Sequence, residues 1–97
     1  MANWTPEEIQ AIWEKAEPSV EPDMWRKDQC GAWMYRPHYG NRQSDYGWEI
    51  DHIKPESKGG ENLLSNARPL HWLNNASRQA GRLTCVVTSD GNRNITR

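Results

Sequence analysis

The chain of 97 residues has no phenylalanine, only two cysteines and no long apolar run. No segment approaches the ~18 consecutive apolar residues of a membrane-spanning helix. The first residues are acidic and amphipathic, unlike a signal peptide. We therefore expect a soluble cytoplasmic protein with reduced thiols and no membrane partner. A disulfide between Cys30 and Cys85 is the less favoured alternative, because disulfides are rare in the cytosol.

A hydrophobic share of 35% is low for a protein of this size, and such a chain has room for one domain, residues 1–97. Six tryptophans and three tyrosines partly compensate, because each large ring can bury roughly 150–250 Å². We expect a thin core built around tryptophan.

The net charge is only −1, which argues against a protein that coats nucleic acid non-specifically. The charges are unevenly distributed, however. Residues 1–30 contain seven acidic and three basic side chains, whereas residues 31–97 contain six acidic and nine basic ones. A basic site region behind an acidic N-terminal arm is compatible with a nucleic-acid substrate but does not demand one.

An N-terminal helix is predicted by a capping box. Thr5 is the expected N-cap, Pro6 lies in the first turn and Glu8 follows three residues after the cap. Apolar residues then recur at helical spacing until Pro18, which should end the helix. An extended connector to residue 22 completes this arm.

The middle of the chain reads as strand, loop, strand, loop and helix. Residues 33–36 and 46–50 alternate as strands do, with a hairpin-type loop between them. A polar loop over residues 55–62 follows, then a helix from Pro69 to about Gln79. Beyond the helix, residues 83–88 predict a short strand and residues 89–92 a turn. The middle segments together form a ββα unit.

His52 is the first candidate for chemistry, because imidazole can accept a proton from water near neutral pH. It stands at the predicted end of the second strand, directly after Asp51. A carboxylate there suits a hard cation such as Mg²⁺ or Mn²⁺. Taken alone, His52 reads as a hydrogen-bonded structural residue, and Asp51 equally well as a turn acid.

Two asparagines complete the candidate set. Asn75 lies in the predicted helix beside Asn74, where asparagine has poor propensity. This cost indicates that at least one of the pair is needed for its amide oxygen. Asn66 has a simpler reading, a loop asparagine that bonds local backbone.

These residues resemble the motif of the HNH endonuclease family, in its Asp-His…Asn…Asn form. The resemblance rests on Ile50-Asp-His-Ile-Lys-Pro55, Gly59-Gly60, Asn66 and Asn74-Asn-Ala-Ser-Arg78, and covers about residues 25–80. The spacing is similar to that in the HNH domain of CRISPR effector nucleases. The whole composite motif is far more specific than any single part of it.

The resemblance implies an α+β fold: a small ββα-metal (His-Me finger) nuclease domain holding one divalent cation. Residues 1–22 would form the N-terminal helix and connector, residues 25–80 the core motif, and residues 81–97 a short C-terminal strand and tail.

By the same resemblance, each motif residue has a role. Asp51 and Asn75 would bind the cation, and His52 would activate water. Asn66 would hold the loop that carries His52 through hydrogen bonds to backbone. Arg78, Lys54 and Lys58 are candidates for phosphate contacts, although solvated charge explains the two lysines equally well.

Mg²⁺ is the expected cation, with Mn²⁺, Ni²⁺ or Zn²⁺ as alternatives. Gln79 stands where bacteriocin-type members place a metal-binding histidine, which leaves fewer protein ligands and favours a hydrated Mg²⁺. No structural zinc is expected, because only Cys30 and His71 remain of the usual four ligands. We expect Trp33 and Trp72 to help fill that region with apolar packing; a residual zinc site that includes Cys85 is the alternative.

The sequence thus predicts a metal-dependent endonuclease that hydrolyses DNA, of a type found in phages and bacteria. A non-catalytic nucleic-acid-binding module on the same fold is the alternative. No second DNA-reading domain is recognisable, so a protein partner or a homodimer would have to supply any strong sequence specificity.

Overall fold

The computed structural model describes residues 3–97, and its first element is the predicted N-terminal helix. Helix α1 (Pro6–Trp13) has a complete capping box. The hydroxyl of Thr5 accepts from the backbone N–H of Glu8 at 3.1 Å, and the Glu8 carboxylate accepts from the Thr5 N–H at 2.9 Å. The helix ends well before Pro18, which lies instead in a short strand.

That strand, β1 (Glu17–Pro18), belongs to an antiparallel sheet with β2 (Trp25–Lys27) and β3 (Trp33–Tyr35). The strand predicted over residues 33–36 is therefore present. Its partner is not the one predicted, because β3 pairs with β2 and not with the strand that carries His52.

The site-bearing unit consists of β4 (Trp48–His52), β5 (Ala67–His71) and α2 (Trp72–Ser77). The two strands pair antiparallel, with Asp51 opposite Arg68. The predicted ββα order is correct, but the second strand comes after the polar loop and not before it.

The helix predicted from Pro69 is wrong at its start, because residues 67–71 form a fully buried strand. Proline is tolerated at the edge of a sheet, and the β4–β5 sheet has only two strands. Helix α2 begins after His71, whose ring accepts a hydrogen bond from the Leu73 N–H. It ends before Arg78, which is already extended.

The core is built around tryptophan, as predicted. Trp13 of α1 and Trp48 of β4 are fully buried, with ring centroids 5.0 Å apart. Met34 and Ala16 complete the cluster. Both indole N–H groups donate to backbone carbonyls, which satisfies their polar atoms inside the core. This packing fixes the position of β4, and with it the predicted site.

The C-terminal region is a hairpin of β6 (Val87–Asp90) and β7 (Arg93–Thr96), so the single predicted strand is replaced by two. A disulfide joins Cys30 to Cys85 and ties this region to the loop before β3. The expectation of reduced thiols is thus wrong for this structure. Reduced thiols therefore no longer support a cytoplasmic location, and that location stays a prediction.

A buried polar network lies where the resemblance placed a structural zinc. Asp28 accepts hydrogen bonds from the backbone N–H of His71 and from the Asn74 amide, both at 3.0 Å. Asn74 also exchanges two hydrogen bonds with the backbone of Val87. Asn74 is therefore a structural residue, which accounts for one of the two helical asparagines.

Apolar packing by tryptophan is only part of what holds this region. Trp33 and Trp72 are half-buried, and each donates its indole N–H to a backbone carbonyl. Both ring nitrogens of His71 are engaged by backbone groups, and Cys30 is in the disulfide. The alternative zinc site would have to break the disulfide and at least one of the two contacts of the His71 ring. Among residues 3–97, no helix is both long and apolar enough to cross a membrane.

Candidate active site

His52 is the last residue of β4, and its side chain is held on two sides. Its Nε2 atom lies 2.6 Å from Oδ1 of Asn62, and its ring lies against that of Trp4 at a centroid distance of 5.9 Å. Because an amide oxygen only accepts, Nε2 carries the proton in this arrangement. The lone pair is then on Nδ1, which lies 3.9 Å from the exposed Glu56 carboxylate. A histidine in this tautomer can accept a proton at Nδ1.

An open cavity of about 600 Å³ brings His52 together with Asn75. The first comes from β4 and the second from α2, so the two elements of the ββα unit share this space. Glu49 and Arg42 also border it. The cavity is the natural place for a substrate that His52 could reach.

Asp51 is almost completely buried, with 1% of its surface exposed. Its Oδ2 atom accepts a hydrogen bond from Arg68 Nε at 2.7 Å. Its Oδ1 atom lies 2.9 Å from Arg78 Nε, which makes an ion pair. The N–H of Arg78 nevertheless points to Asn75 Oδ1, at 3.0 Å. Asp51 Oδ1 is thus a buried carboxylate oxygen without a hydrogen bond.

The amide oxygen of Asn75 also faces Arg78 Nε. Its Oδ1 accepts from Arg78 Nε, while its Nδ2 donates to Glu49 Oε1 at 2.7 Å. The amide is therefore oriented from both ends. Asp51 Oδ1 and Asn75 Oδ1 both lie within 3.0 Å of one nitrogen of Arg78.

Asn66 lies at the far end of the loop that connects β4 and β5. Its Oδ1 accepts from the Lys54 N–H at 2.7 Å, and its Nδ2 donates to the carbonyls of Lys54 and Glu61. Asn66 therefore contacts backbone at both ends of the loop, which also carries Asn62. The hydrogen bonds of its side chain go to backbone and not to His52.

The three predicted phosphate-binding residues differ in position. Arg78 lies in the site, and its side chain is 29% exposed. Lys54 and Lys58 are exposed on the loop after β4. Of these three residues, only Arg78 contacts the predicted cation ligands.

Comparison with known families decides the identity of this unit. Residues 38–76 match the HNH endonuclease family model. The chain carries an HNH domain. The match contains β4, β5, all but the last residue of α2 and all four motif residues, so the predicted family is confirmed, together with the α+β fold class. No curated protein and no solved structure matches the chain. HNH domains are in general nuclease domains that bind a divalent metal.

The donors of this HNH domain fit such a cation. A carboxylate oxygen and an amide oxygen are hard ligands of the kind that Mg²⁺ takes, and Asp51 Oδ1 accepts no hydrogen bond that a cation would have to replace, only the ion pair with Arg78. Residues 3–97 contain no cluster of three or more His, Cys, Asp or Glu side chains arranged for a metal. A small donor set fits an ion that keeps several waters better than it fits tightly bound Zn²⁺.

Four further residues of the HNH domain were not recognised in the sequence: Arg42, Glu49, Asn62 and Arg68. Burial raises the pKa of Glu49, but hydrogen bonds from Arg42 and Asn75 and the charge of Arg42 outweigh it, and the net pKa lies below its usual value. Glu49 could have been found, because residues two apart on a strand share a face and Asp51 follows by two. Asn62 carried no comparable signal.

Proposed function

We propose that this protein is a metal-dependent endonuclease that hydrolyses phosphodiester bonds of DNA. One observation carries the proposal. His52 and Asn75 line one open cavity, and the Asn75 amide oxygen and Asp51 Oδ1 both lie within 3.0 Å of Arg78 Nε. A candidate general base and one hard oxygen donor thus share a cavity, and the second donor, Asp51, lies behind Asn75 and Arg78; hydrolysis of a phosphodiester uses a base and a cation of this kind.

In this proposal, His52 removes a proton from the attacking water. Asn62 holds the proton on Nε2 and so keeps the lone pair on Nδ1. Asn66 supports the loop that presents Asn62, through hydrogen bonds to the backbone of Lys54 and Glu61. Neither asparagine has to contact the substrate.

Asp51 and Asn75 hold the divalent cation, with Mg²⁺ as the first candidate. A cation bound there neutralises negative charge on the phosphoryl and leaving oxygens. Glu49 orients the Asn75 amide through its Nδ2 group. Positive charge for the DNA phosphates would come from Arg78, Lys54 and Lys58.

DNA is the proposed substrate, and the proposed setting is a phage or bacterial cell. Specificity would come from a protein partner or a second copy, because a unit of this size has little surface left for reading bases. The acidic residues of α1, Glu7 and Glu8, do not line the cavity that His52 and Asn75 share.

A non-catalytic nucleic-acid-binding module is the second candidate, and one observation favours it. Arg68 and Arg78 already neutralise Asp51, which is the arrangement expected of a carboxylate that never binds a cation. The intact His52 and its fixed tautomer favour the enzyme over this module.

Nicking of supercoiled plasmid separates the two candidates. We expect the wild type to nick DNA with Mg²⁺, Mn²⁺, Ni²⁺ or Zn²⁺ and to stop when EDTA is added. Asn75→Ala should lose this activity, whereas Asn92→Ala, an exposed asparagine in the β6–β7 turn, should keep it. DNA binding by the folded wild type without nicking under any metal would establish the binding module instead.

A further inference from the structure

Arg78 occupies the position of a cation. Its Nε atom lies 2.9 Å from Asp51 Oδ1 and 3.0 Å from Asn75 Oδ1. These are the two oxygens that the proposed function gives to the divalent ion. Arginine and the ion therefore compete for the same pair of donors.

A buried carboxylate needs such a partner. Asp51 is 1% exposed, and removing a charge from water is costly unless an opposite charge and hydrogen bonds compensate it. Arg68 satisfies only Oδ2. Without Arg78, the Oδ1 side of the carboxylate would face no positive charge.

The two arginines differ in how firmly they are held. The Arg68 side chain is 10% exposed, and its Nη2 also donates to the Gly81 carbonyl at 2.9 Å. The Arg78 side chain is 29% exposed and borders an open cavity of about 370 Å³, shared with Arg42 and Ser57. Arg78 can leave Asp51 by rotating its own side chain, whereas Arg68 would also have to break its hydrogen bond to the Gly81 carbonyl.

We propose that Arg78 is a resident counter-ion that the divalent cation must replace, and that the displaced guanidinium then binds a DNA phosphate in the neighbouring cavity. This inference rests on the proposed function. Arg78 holds the buried Asp51 in place before the ion arrives. Afterwards, the same side chain contributes to substrate binding.

Two consequences follow from this exchange. Affinity for the cation in the absence of DNA is lower than the two oxygens alone would give, because an ion pair has to be broken. DNA raises that affinity, since a phosphate offers Arg78 a new partner, and by reciprocity the cation raises affinity for DNA. The protein thus holds its cation firmly only when substrate is present.

The test is a calorimetric titration of Mn²⁺ into the DNA-free protein, comparing the wild type with Arg78→Gln and Arg82→Gln. Arg82 is an exposed arginine four residues further along the chain, so it controls for the loss of one positive charge. We expect Arg78→Gln to bind Mn²⁺ about tenfold more tightly than the wild type, as loss of a competing ion pair predicts. Arg82→Gln should match the wild type.

Each other outcome has a definite meaning. Equal affinity in the wild type and Arg78→Gln would overturn the competition while leaving the cation site intact. An equal gain in both variants would reduce the effect to net charge and would also overturn it. No binding of Mn²⁺ to any of the three proteins would contradict the cation site, and the proposed function with it.

Thermal unfolding supplies a second readout that does not depend on activity. In EDTA, Arg78→Gln should melt below the wild type, because Asp51 has lost a counter-ion. Saturating Mn²⁺ should then raise the melting temperature of Arg78→Gln more than that of the wild type. Should Arg78→Gln fail to fold, Arg78→Lys keeps the charge but loses the planar fork, so a smaller increase in the Mn²⁺-induced shift is expected, in the same direction. An identical Mn²⁺-induced shift in the wild type and the variant would contradict the proposal.

Discussion

The Nε2 atom of His52 donates a hydrogen bond to Oδ1 of Asn62, over a distance of 2.6 Å. This contact joins the end of β4 to a residue in the second half of the loop that connects β4 and β5. It selects one tautomer of the imidazole, with the lone pair on Nδ1. In the proposed mechanism, Asn62 is therefore a positioning residue for the general base.

Replacing Asn62 should lower the rate without affecting the cation. A hydrogen bond of this kind contributes about 1 kcal/mol, so we expect Asn62→Ala to reduce kcat roughly fivefold to tenfold and to leave KM and Mn²⁺ affinity unchanged. Steady-state nicking and calorimetry measure these quantities. Asn92→Ala is the matched control, and a wild-type kcat in Asn62→Ala would remove Asn62 from the mechanism.

The two arginine–carboxylate pairs should differ sharply in their contribution to stability. The Arg68 side chain is 10% exposed in its pair with Asp51, whereas that of Arg42 is 55% exposed in its pair with Glu49. Arg68→Met should lower the free energy of unfolding by about 3 kcal/mol, since it leaves Oδ2 of the buried Asp51 without a hydrogen bond or a counter-ion. Arg42→Met should cost less than about 1 kcal/mol. Urea denaturation checks both values, and equal losses would contradict the burial argument.

Removing the disulfide should destabilise the fold. Cys30 and Cys85 are 55 residues apart in sequence, and closing a loop of that length is expected to stabilise by about 4 kcal/mol, mainly through the unfolded chain. The double variant Cys30→Ser/Cys85→Ser should therefore melt at a lower temperature. Reducing agent should lower the melting temperature of the wild type to the same level and leave the variant unchanged. A wild type insensitive to reductant, with both thiols shown to be free, would contradict the pairing.

Stability should also fall in mild acid because of His71. Burial lowers the pKa of His71, more strongly than its hydrogen bond to the Asp45 carbonyl and the charge of Asp28 raise it. As the pH falls below about 6.5, the unfolded chain takes up this proton before the folded one does, so the stabilisation present above that pH is progressively lost.

The loss attributable to His71 is at most about 1.4 kcal/mol for each pH unit. Unfolding of the wild type and His71→Asn, measured at pH 7.5 and 5.5, isolates this contribution. Asparagine keeps a side-chain acceptor at the N-cap of α2 but does not titrate. The variant should lose less stability than the wild type; an equal loss in both would show that other groups govern the pH dependence.

The sequence was a good guide where a local signal has a local cause. The capping box of Thr5 and Glu8 is such a case, because the bonds that it predicts connect residues three apart. The motif spacing likewise led to the HNH family, since a fixed number of residues separates β4 from α2. The tryptophan core followed from composition alone.

The errors arose where distant contacts decide the outcome. Pro69 predicted a helix start, but pairing with Ile50 and burial on the core make it part of a strand. The pairing of Cys30 with Cys85 depends on the C-terminal hairpin, whose position no local pattern reveals. The contact between Arg78 and Asp51 also escaped prediction, because it is a property of how α2 packs on β4.

The most direct test of the account is the single-turnover rate of plasmid nicking by His52→Ala at saturating Mn²⁺, compared with His38→Ala. His38 is a half-buried histidine that also bonds a neighbouring side chain, Ser44, but lies outside the cavity of His52. We expect His52→Ala to be slower than the wild type by about 10²- to 10⁴-fold, the usual contribution of a general base, and His38→Ala to be unaffected. A His52→Ala rate equal to that of the wild type would show that His52 is not the base and would contradict the proposed mechanism.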